Sequence, residues 1–301
     1  MSAESTSTHT PASETIKACL WMIGAIVSFS AMAISGRAVS LELDTFEIML
    51  YRSVLGFGIV VVAISLAGRR HEVTTRRFGL QIVRNFSHFT GQNLWFFAIA
   101  TIPLAQVFAV EFTSPLWAIL LSPLVLSERL TTSRMIAAAV GFAGILIVTR
   151  PSPATFEIGQ LAALGAALGF AGSAVFTRRL TRTESTVCIL FWLTAMQAVF
   201  GLVCAGIDGQ IAVPSLESWP FVVVIAFAGL VAHYCLTTAL SLAPAAVVMP
   251  IDFARLPVIA LLGMAIYAEA LDPWVFLGAA VIFAANYFNI LKETRGVAAK
   301  S

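Results

Sequence analysis

The sequence predicts an all-α membrane protein with ten transmembrane helices, arranged as two inverted five-helix repeats. Three observations carry this. Of 301 residues, 59% are hydrophobic and only 11% charged, against roughly 25% charged in soluble domains. That much apolar surface has no place in a water-soluble fold of this size, whereas a lipid-crossing helix needs about 20 apolar residues. Next, the stretch Pro103–Leu130 (PLAQVFAVEFTSPLWAILLSPLVLSERL) returns as Pro244–Leu271 (PAAVVMPIDFARLPVIALLGMAIYAEAL). Glu111 is matched by Asp252, Phe112 by Phe253 and Glu128 by Glu269, each pair 141 positions apart. Finally, each half holds five apolar runs, and an odd number makes the second half cross the membrane in the opposite sense.

Residues 1–15 are rich in Ser and Thr and are expected to form a disordered polar tail. The first apolar run follows Lys17 and is long enough to span, so it reads as a retained helix and not as a signal peptide. The ten spans are expected near 16–36, 46–67, 80–101, 103–126, 132–149, 158–177, 187–206, 217–240, 244–267 and 272–291. The first repeat then covers 16–150 and the second 151–291, with 292–301 as a C-terminal tail. Pro103 and Pro244 mark tight hairpins between neighbouring spans. The 141-residue offset also relates Gly24 to Gly165, Phe29 to Phe170, Ala33 to Ala174 and Arg37 to Arg178.

Basic residues set the expected orientation. With the N-terminus in the cytoplasm, 13 Lys and Arg fall on the cytoplasmic side and only Arg37 and Arg150 outside. Both termini are then cytoplasmic, in a bacterial-type inner membrane. The net charge of +2 gives no reason to expect a nucleic-acid partner. Cys19, Cys188, Cys204 and Cys235 are scattered singly through apolar runs, so no metal site or other cofactor is expected.

An ionisable group inside a membrane helix is costly and asks for a reason. Glu111 and Asp252 each stand eight residues past a proline, about 12 Å along a helix. Inverted symmetry would bring them to one central cavity, as substrate ligands or proton carriers. Arg255, one turn after Asp252, offers the alternative of a structural ion pair. Arg52 and Arg84 read either as anion clamps or as side chains reaching the interface. Arg84, His88 and Gln92 recur every four residues and so share a helix face, with Asn93 and Trp95 beside it. Gln92 and Asn93 align with His233 and Tyr234. These polar groups are expected to line a cavity or to join helices by hydrogen bonds. Trp95, Phe112 and Phe253 would supply stacking surfaces if they face that cavity. Glu128 and Glu269 are expected to cap the helices that follow them. The clusters Gly141–Gly144 and Gly165–Gly172 fit close packing within the bundle, with a homodimer face as the other use.

With these residues in view, the sequence resembles the drug/metabolite transporter superfamily, specifically its EamA-type ten-helix members. The resemblance spans about Ile16–Leu291 and rests on the doubled pattern, on Pro115–Glu128 (PLWAILLSPLVLSE), on FEIMLYR (Phe46–Arg52) and on Arg84. The Arg52 and Arg84 arrangement is similar to the branch of riboflavin and S-adenosylmethionine uptake carriers. In the second half Leu256 stands where Pro115 stands and Pro257 follows, so the helix break there is expected one residue later. The inverted repeat and its paired acids predict a secondary transporter that works by alternating access around a cavity lined by spans 3, 4, 8 and 9, to which the resemblance adds spans 1 and 6. Its partners would be the lipid bilayer and a small metabolite, with riboflavin, S-adenosylmethionine and amino acids as candidates and a proton as the coupling ion. The competing classes are a passive channel and an intramembrane enzyme. The sequence has no HExxH, GxSxG or phosphate-loop pattern for the latter.

Overall fold

A computed structural model describes residues 11–127, 131–150, 157–207, 209–243, 248 and 251–298. Every regular element among them is helical. The first half contains α1 (Pro11–Val39), α2 (Thr45–Leu66), α3 (Phe78–Thr101), α4 (Leu104–Glu111), α5 (Ser114–Leu126) and α6 (Thr132–Thr149). The second contains α7 (Ile158–Leu180), α8 (Thr186–Ala205), α9 (Trp219–Leu242), α10 (Arg255–Tyr267) and α11 (Pro273–Ala298). Helix α1 begins at Pro11, inside the stretch read as tail from its composition. Ile251 and Asp252 close a further helical segment just ahead of α10.

Eight described spans are long and apolar enough to cross a membrane, counting α4 and α5 together as Leu104–Leu126. Helix α3 has the length, 24 residues, but its polar stripe lowers its apolarity. The span ending in α10 is described only in part. The chain is thus a multi-pass membrane protein with the expected ten-helix plan.

Local chemistry sets the ends. Asp44 and Glu47 form a reciprocal capping box that starts α2, with bonds of 2.8 and 2.9 Å. Ser185 caps α8 by accepting from Cys188 N at 3.2 Å. The fourth span is broken because Pro115 has no N–H to donate and Leu116 N turns to Thr113 O at 2.9 Å. The second-half break falls at equivalent residues. Segments end at Glu111 and Asp252, and the next helices start at Ser114 and Arg255, 141 positions apart. The expected one-residue displacement is therefore absent. Pro257 lies within the first turn of α10, and Leu256 N bonds Phe253 O at 3.1 Å, as Leu116 N bonds Thr113 O. Both helices also end alike, on left-handed Ser127 (φ 57°) and Ala268 (φ 54°).

The two halves interlock across the repeat axis. Helix α1 packs on α9 as α7 packs on α3, and α2 meets α8 while α6 meets α11. Equivalent contacts recur: a Cβ built at Gly24 would press on Cys235, and one at Gly165 on Leu94. At the α3–α7 crossing a Cβ on Gly169 would stand 2.7 Å from Gly91 Cα, so only glycine permits that approach. Gly144 likewise meets Gly278 O of α11. These glycines are used inside the bundle.

Candidate functional site

Two groups of buried polar residues meet at Phe29. In the central group, the breaks of the two repeats face each other. The Arg255 guanidinium lies 3.4 Å from Glu111 Oε1 and 3.3 Å from Asp252 Oδ2. Its carbon sits 4.5 Å from the ring centre of Phe29, 5.0 Å from that of Phe108 and 5.1 Å from that of Phe112. Three aromatic faces around one guanidinium make a cation–π cage, in which a desolvated contact is worth about 2 kcal/mol. Trp95 Nε1 donates to Glu111 Oε2 at 2.7 Å. Phe112 and Phe253, equivalent in the two repeats, have ring centres 4.6 Å apart.

Two acids share one guanidinium here, which leaves an excess of one negative charge when both are ionised. Asp252 Oδ1 and Arg255 Nε are buried without a hydrogen-bond partner. Buried polar atoms are usually satisfied, so these two are available to a ligand or solvent. The break adds one more polar contact: Asn286 Nδ2 of α11 donates to Phe112 O at 2.8 Å, taking a carbonyl freed where the helix is interrupted.

The second group lies between α2, α3, α8 and α9. Arg52 bonds Gln92 Oε1 and reaches Met49 Sδ at 3.7 Å. A Cβ at Gly229 would come 3.1 Å from Arg52 Nη2, so this glycine leaves room for the guanidinium. His88 lies 3.4 Å from Ser173 Oγ, and the rings of His88 and His233 are 6.3 Å apart. His233 also stands edge-on to Phe29 at 5.5 Å, so Phe29 is the wall shared with the central group. These residues open on a cavity of about 350 Å³, where Arg52, His88, Gln92, Gln197 and His233 meet apolar walls from α2, α8 and α9. Among the described residues no carboxylate lines it. Gln197 Oε1 is buried and unpartnered.

Arg84 stands apart from both groups, donating to Thr177 Oγ1 at 3.0 Å and to Asn85 Oδ1 at 2.8 Å, where it ties α3 to α7. Tyr234 lies at the rim of the cavity, 64% exposed, with its ring edge-on to Trp21. Asn93 folds back on its own helix, donating to Phe89 O at 2.8 Å.

Glu269 does not cap the helix after it; Asp272 does, accepting from Trp274 N at 2.9 Å. Glu269 instead pairs with Arg37 of α1 and accepts from Leu104 N at the start of α4, at 3.0 Å. Arg37 also donates to the carbonyls of Ile99 and Ile102 and lies 5.1 Å over the Tyr267 ring. One ion pair thus ties α1, the α3–α4 hairpin and the end of α10. Glu128, its repeat counterpart, lies outside the described residues. Sequence reasoning missed this latch because its partners are 232 positions apart. It also missed Asn286, although an amide in an apolar last span was a signal. At the opposite end, Arg134, Arg178, Asn286 and Asn289 line a second hollow of about 320 Å³ between α5, α6, α7 and α11. Among the described residues no cluster of His, Cys, Asp and Glu suits a metal ion.

Residues 16–150 and 157–291 each match the profile of the EamA-like transporter family. A protein named riboflavin transporter in Brucella anthropi is 30% identical over 73% of this chain and 79% of its own. A riboflavin transporter of Vibrio cholerae is 26% identical over 93% of this chain and 95% of its own. An S-adenosylmethionine uptake transporter of Rickettsia bellii is 24% identical over the same shares, 93% and 95%. One solved crystal structure aligns with a TM-score of 0.62 over 92% of this chain and 98% of its own, at 20% identity, which speaks for the fold.

Proposed function

The chain belongs to the EamA-like transporter family, and on that premise we propose that it is a proton-coupled secondary carrier for a flat, acceptor-rich metabolite of riboflavin's class. The observation that carries the substrate is the cavity of about 350 Å³, a size suited to a small ligand. Its polar groups are a guanidinium, two amides, two imidazoles and the hydroxyls of Ser53, Thr186, Thr194, Tyr234 and Thr237, with no carboxylate among the described residues. Such a set donates hydrogen bonds to ring carbonyls and nitrogens, while the apolar walls take a flat ring system. The relatives named riboflavin transporters support the same class.

The central group supplies the coupling. Its two carboxylates and one guanidinium carry one excess negative charge, which a single proton neutralises. Loss or gain of that proton changes how firmly Arg255 holds the two repeats together across their breaks. Phe29 touches both groups, so substrate beside His233 and charge beside Arg255 act on one ring. The repeats then rock in alternating access, with the Arg37–Glu269 latch closing the external side and the N- and C-termini in the cytoplasm of a bacterial inner membrane.

A second reading has a specific observation behind it. The same excess negative charge suits a cationic substrate, and S-adenosylmethionine carries a sulfonium and an ammonium. A thermal-shift screen of the purified protein separates the two. At about 100 times its Kd a ligand stabilises by about 2.7 kcal/mol. We expect riboflavin to raise the melting temperature, with loss of the shift in Arg52→Ala and Gln92→Ala. A shift with S-adenosylmethionine, lost in Glu111→Gln and kept in Arg52→Ala, would replace the first reading with the second.

A further inference from the structure

On the face away from the Arg37–Glu269 latch, a hollow of about 540 Å³ opens where α3 begins and α7 ends. Four guanidinium groups converge on it: Arg76 and Arg77 from the turn ahead of α3, and Arg179 and Arg182 from the end of α7. All four are exposed, and among the described residues no carboxylate lines the hollow. The side chains of Arg76, Arg77 and Arg182 make no hydrogen bond or ion pair with any described residue, and that of Arg179 reaches only Val125 O among them, at 3.4 Å. Elsewhere on this face Arg69 is neutralised by Glu72 at 2.5 Å. The four are thus left as a concentrated positive charge.

The placement of Arg76 and Arg77 goes against the helix they precede, whereas Arg179 and Arg182 stand at the C-terminal end of α7. Arg77 is the N-cap residue of α3 and offers no side-chain acceptor to its first turn. Cations at a helix N-terminus oppose its dipole, whereas an anion there is stabilised. Gly79, in that first turn, faces open space: a Cβ built on it would meet nothing within 4 Å. Beside the guanidinium groups the wall turns apolar, with Leu80 and Val83 lining the hollow and Ile82 and Phe86 exposed on the same helix. A basic notch at the end of a span, continued by an apolar helix face, matches a phosphate head followed by acyl chains.

We propose that this hollow binds an anionic phospholipid, its phosphate among Arg76, Arg77, Arg179 and Arg182 and its acyl chains along Val83 and Phe86. A free phosphate compound shares the head-group chemistry but gains nothing from the apolar wall. The arginines come from opposite repeats, on the helix pair that Arg84 and Thr177 join deeper in the bundle. The lipid is therefore a removable brace on the α3–α7 pair.

The test is native mass spectrometry of the full-length protein in detergent, titrated with phosphatidylglycerol, with phosphatidylcholine and, separately, with inorganic phosphate. The expected result is retained phosphatidylglycerol with little phosphatidylcholine or phosphate. The pairs Arg76→Gln/Arg77→Gln and Arg179→Gln/Arg182→Gln should each weaken it by roughly ten-fold or more. Lys292→Gln, a cation of the same face outside the hollow, should leave it unchanged. Two separate pairs guard against one variant misfolding, and melting temperature without lipid checks each. Equal retention of both lipids, or undiminished retention in both folded pair variants, would overturn the proposal. Phosphate binding that lipid does not match would make this a site for a soluble anion and overturn it too.

Discussion

At the scale of single residues, Arg255 decides the character of the centre. It is 4% exposed and is the cation that both repeat acids face. Removing it leaves two carboxylates buried together, and breaking a buried ion pair costs about 3–5 kcal/mol. Arg255→Met should lower stability by that order in an unfolding titration. The triple variant Glu111→Gln/Asp252→Asn/Arg255→Met should recover most of the loss, since no unpaired charge remains, and yet be inactive in transport. A triple variant as unstable as Arg255→Met would show that cage packing, and not charge, governs this site. Trp95→Phe, which removes the indole donor to Glu111, should cost about 1.5–3 kcal/mol by the same titration. The sequence exposed Glu111, Asp252 and Arg255 plainly, because each interrupts an apolar run. It hid that Arg255 also reaches Glu111, 144 positions away, since no periodicity links residues in different repeats. It likewise grouped Arg84 with His88 and Gln92 from helical spacing alone, whereas packing against Thr177 turns Arg84 to other partners.

At the scale of elements, broken helices and one latch set what can move. The breaks after Glu111 and Asp252 were readable from Pro115 and Pro257, and their equivalence shows that proline position fixes a break only to within a turn. The latch was not readable, because Arg37 and Glu269 look like ordinary span-end charges. Its worth can be measured by labelling. With the four native cysteines replaced and Ala109→Cys introduced on α4, Glu269→Gln should speed reaction with a membrane-impermeant maleimide added from the latch side. Unchanged labelling would mean that apolar packing alone closes that end. The α1–α2 loop offers a pH reading. Glu42 accepts from Ser215 N at 2.5 Å, from Ser215 Oγ at 2.9 Å and from Ser218 Oγ. The Ser218 and Ser215 bonds hold its pKa below the ordinary value of 4.5. A group lowered in the folded state stabilises fully above its unfolded pKa and loses that effect as pH falls through the folded value. The hydrogen-exchange protection factors over 211–218, which take out the intrinsic pH dependence of exchange, should therefore fall below about pH 4.5 in the wild type. In Glu42→Gln protection should be low already at neutral pH and should not change with acid.

At the scale of the whole molecule, a 141-residue repeat read from two acids extends to helix ends, helix breaks and packing pairs. What it leaves out is the asymmetry. Arg255 has Ser114 as its counterpart, Arg52 has Leu193, and Asn286 has Ile145. The central ion cluster joins the matched acids Glu111 and Asp252 to the unmatched Arg255, and the side cavity adds the unmatched Arg52 to the matched Gln92 and His233, so the repeat supplies the scaffold and the paired acids while departures from it supply the cations. The function proposed above couples charge at the centre to substrate beside it. The direct test is uptake of radiolabelled riboflavin into proteoliposomes holding the purified protein, with and without an imposed pH gradient. Saturable uptake that the gradient drives, lost as a gradient effect in well-folded Glu111→Gln and lost altogether in Arg52→Ala, is the expected result. Uptake that proceeds with its original pH dependence in Glu111→Gln would contradict the coupling role of the central acids, and no saturable riboflavin flux would contradict the substrate.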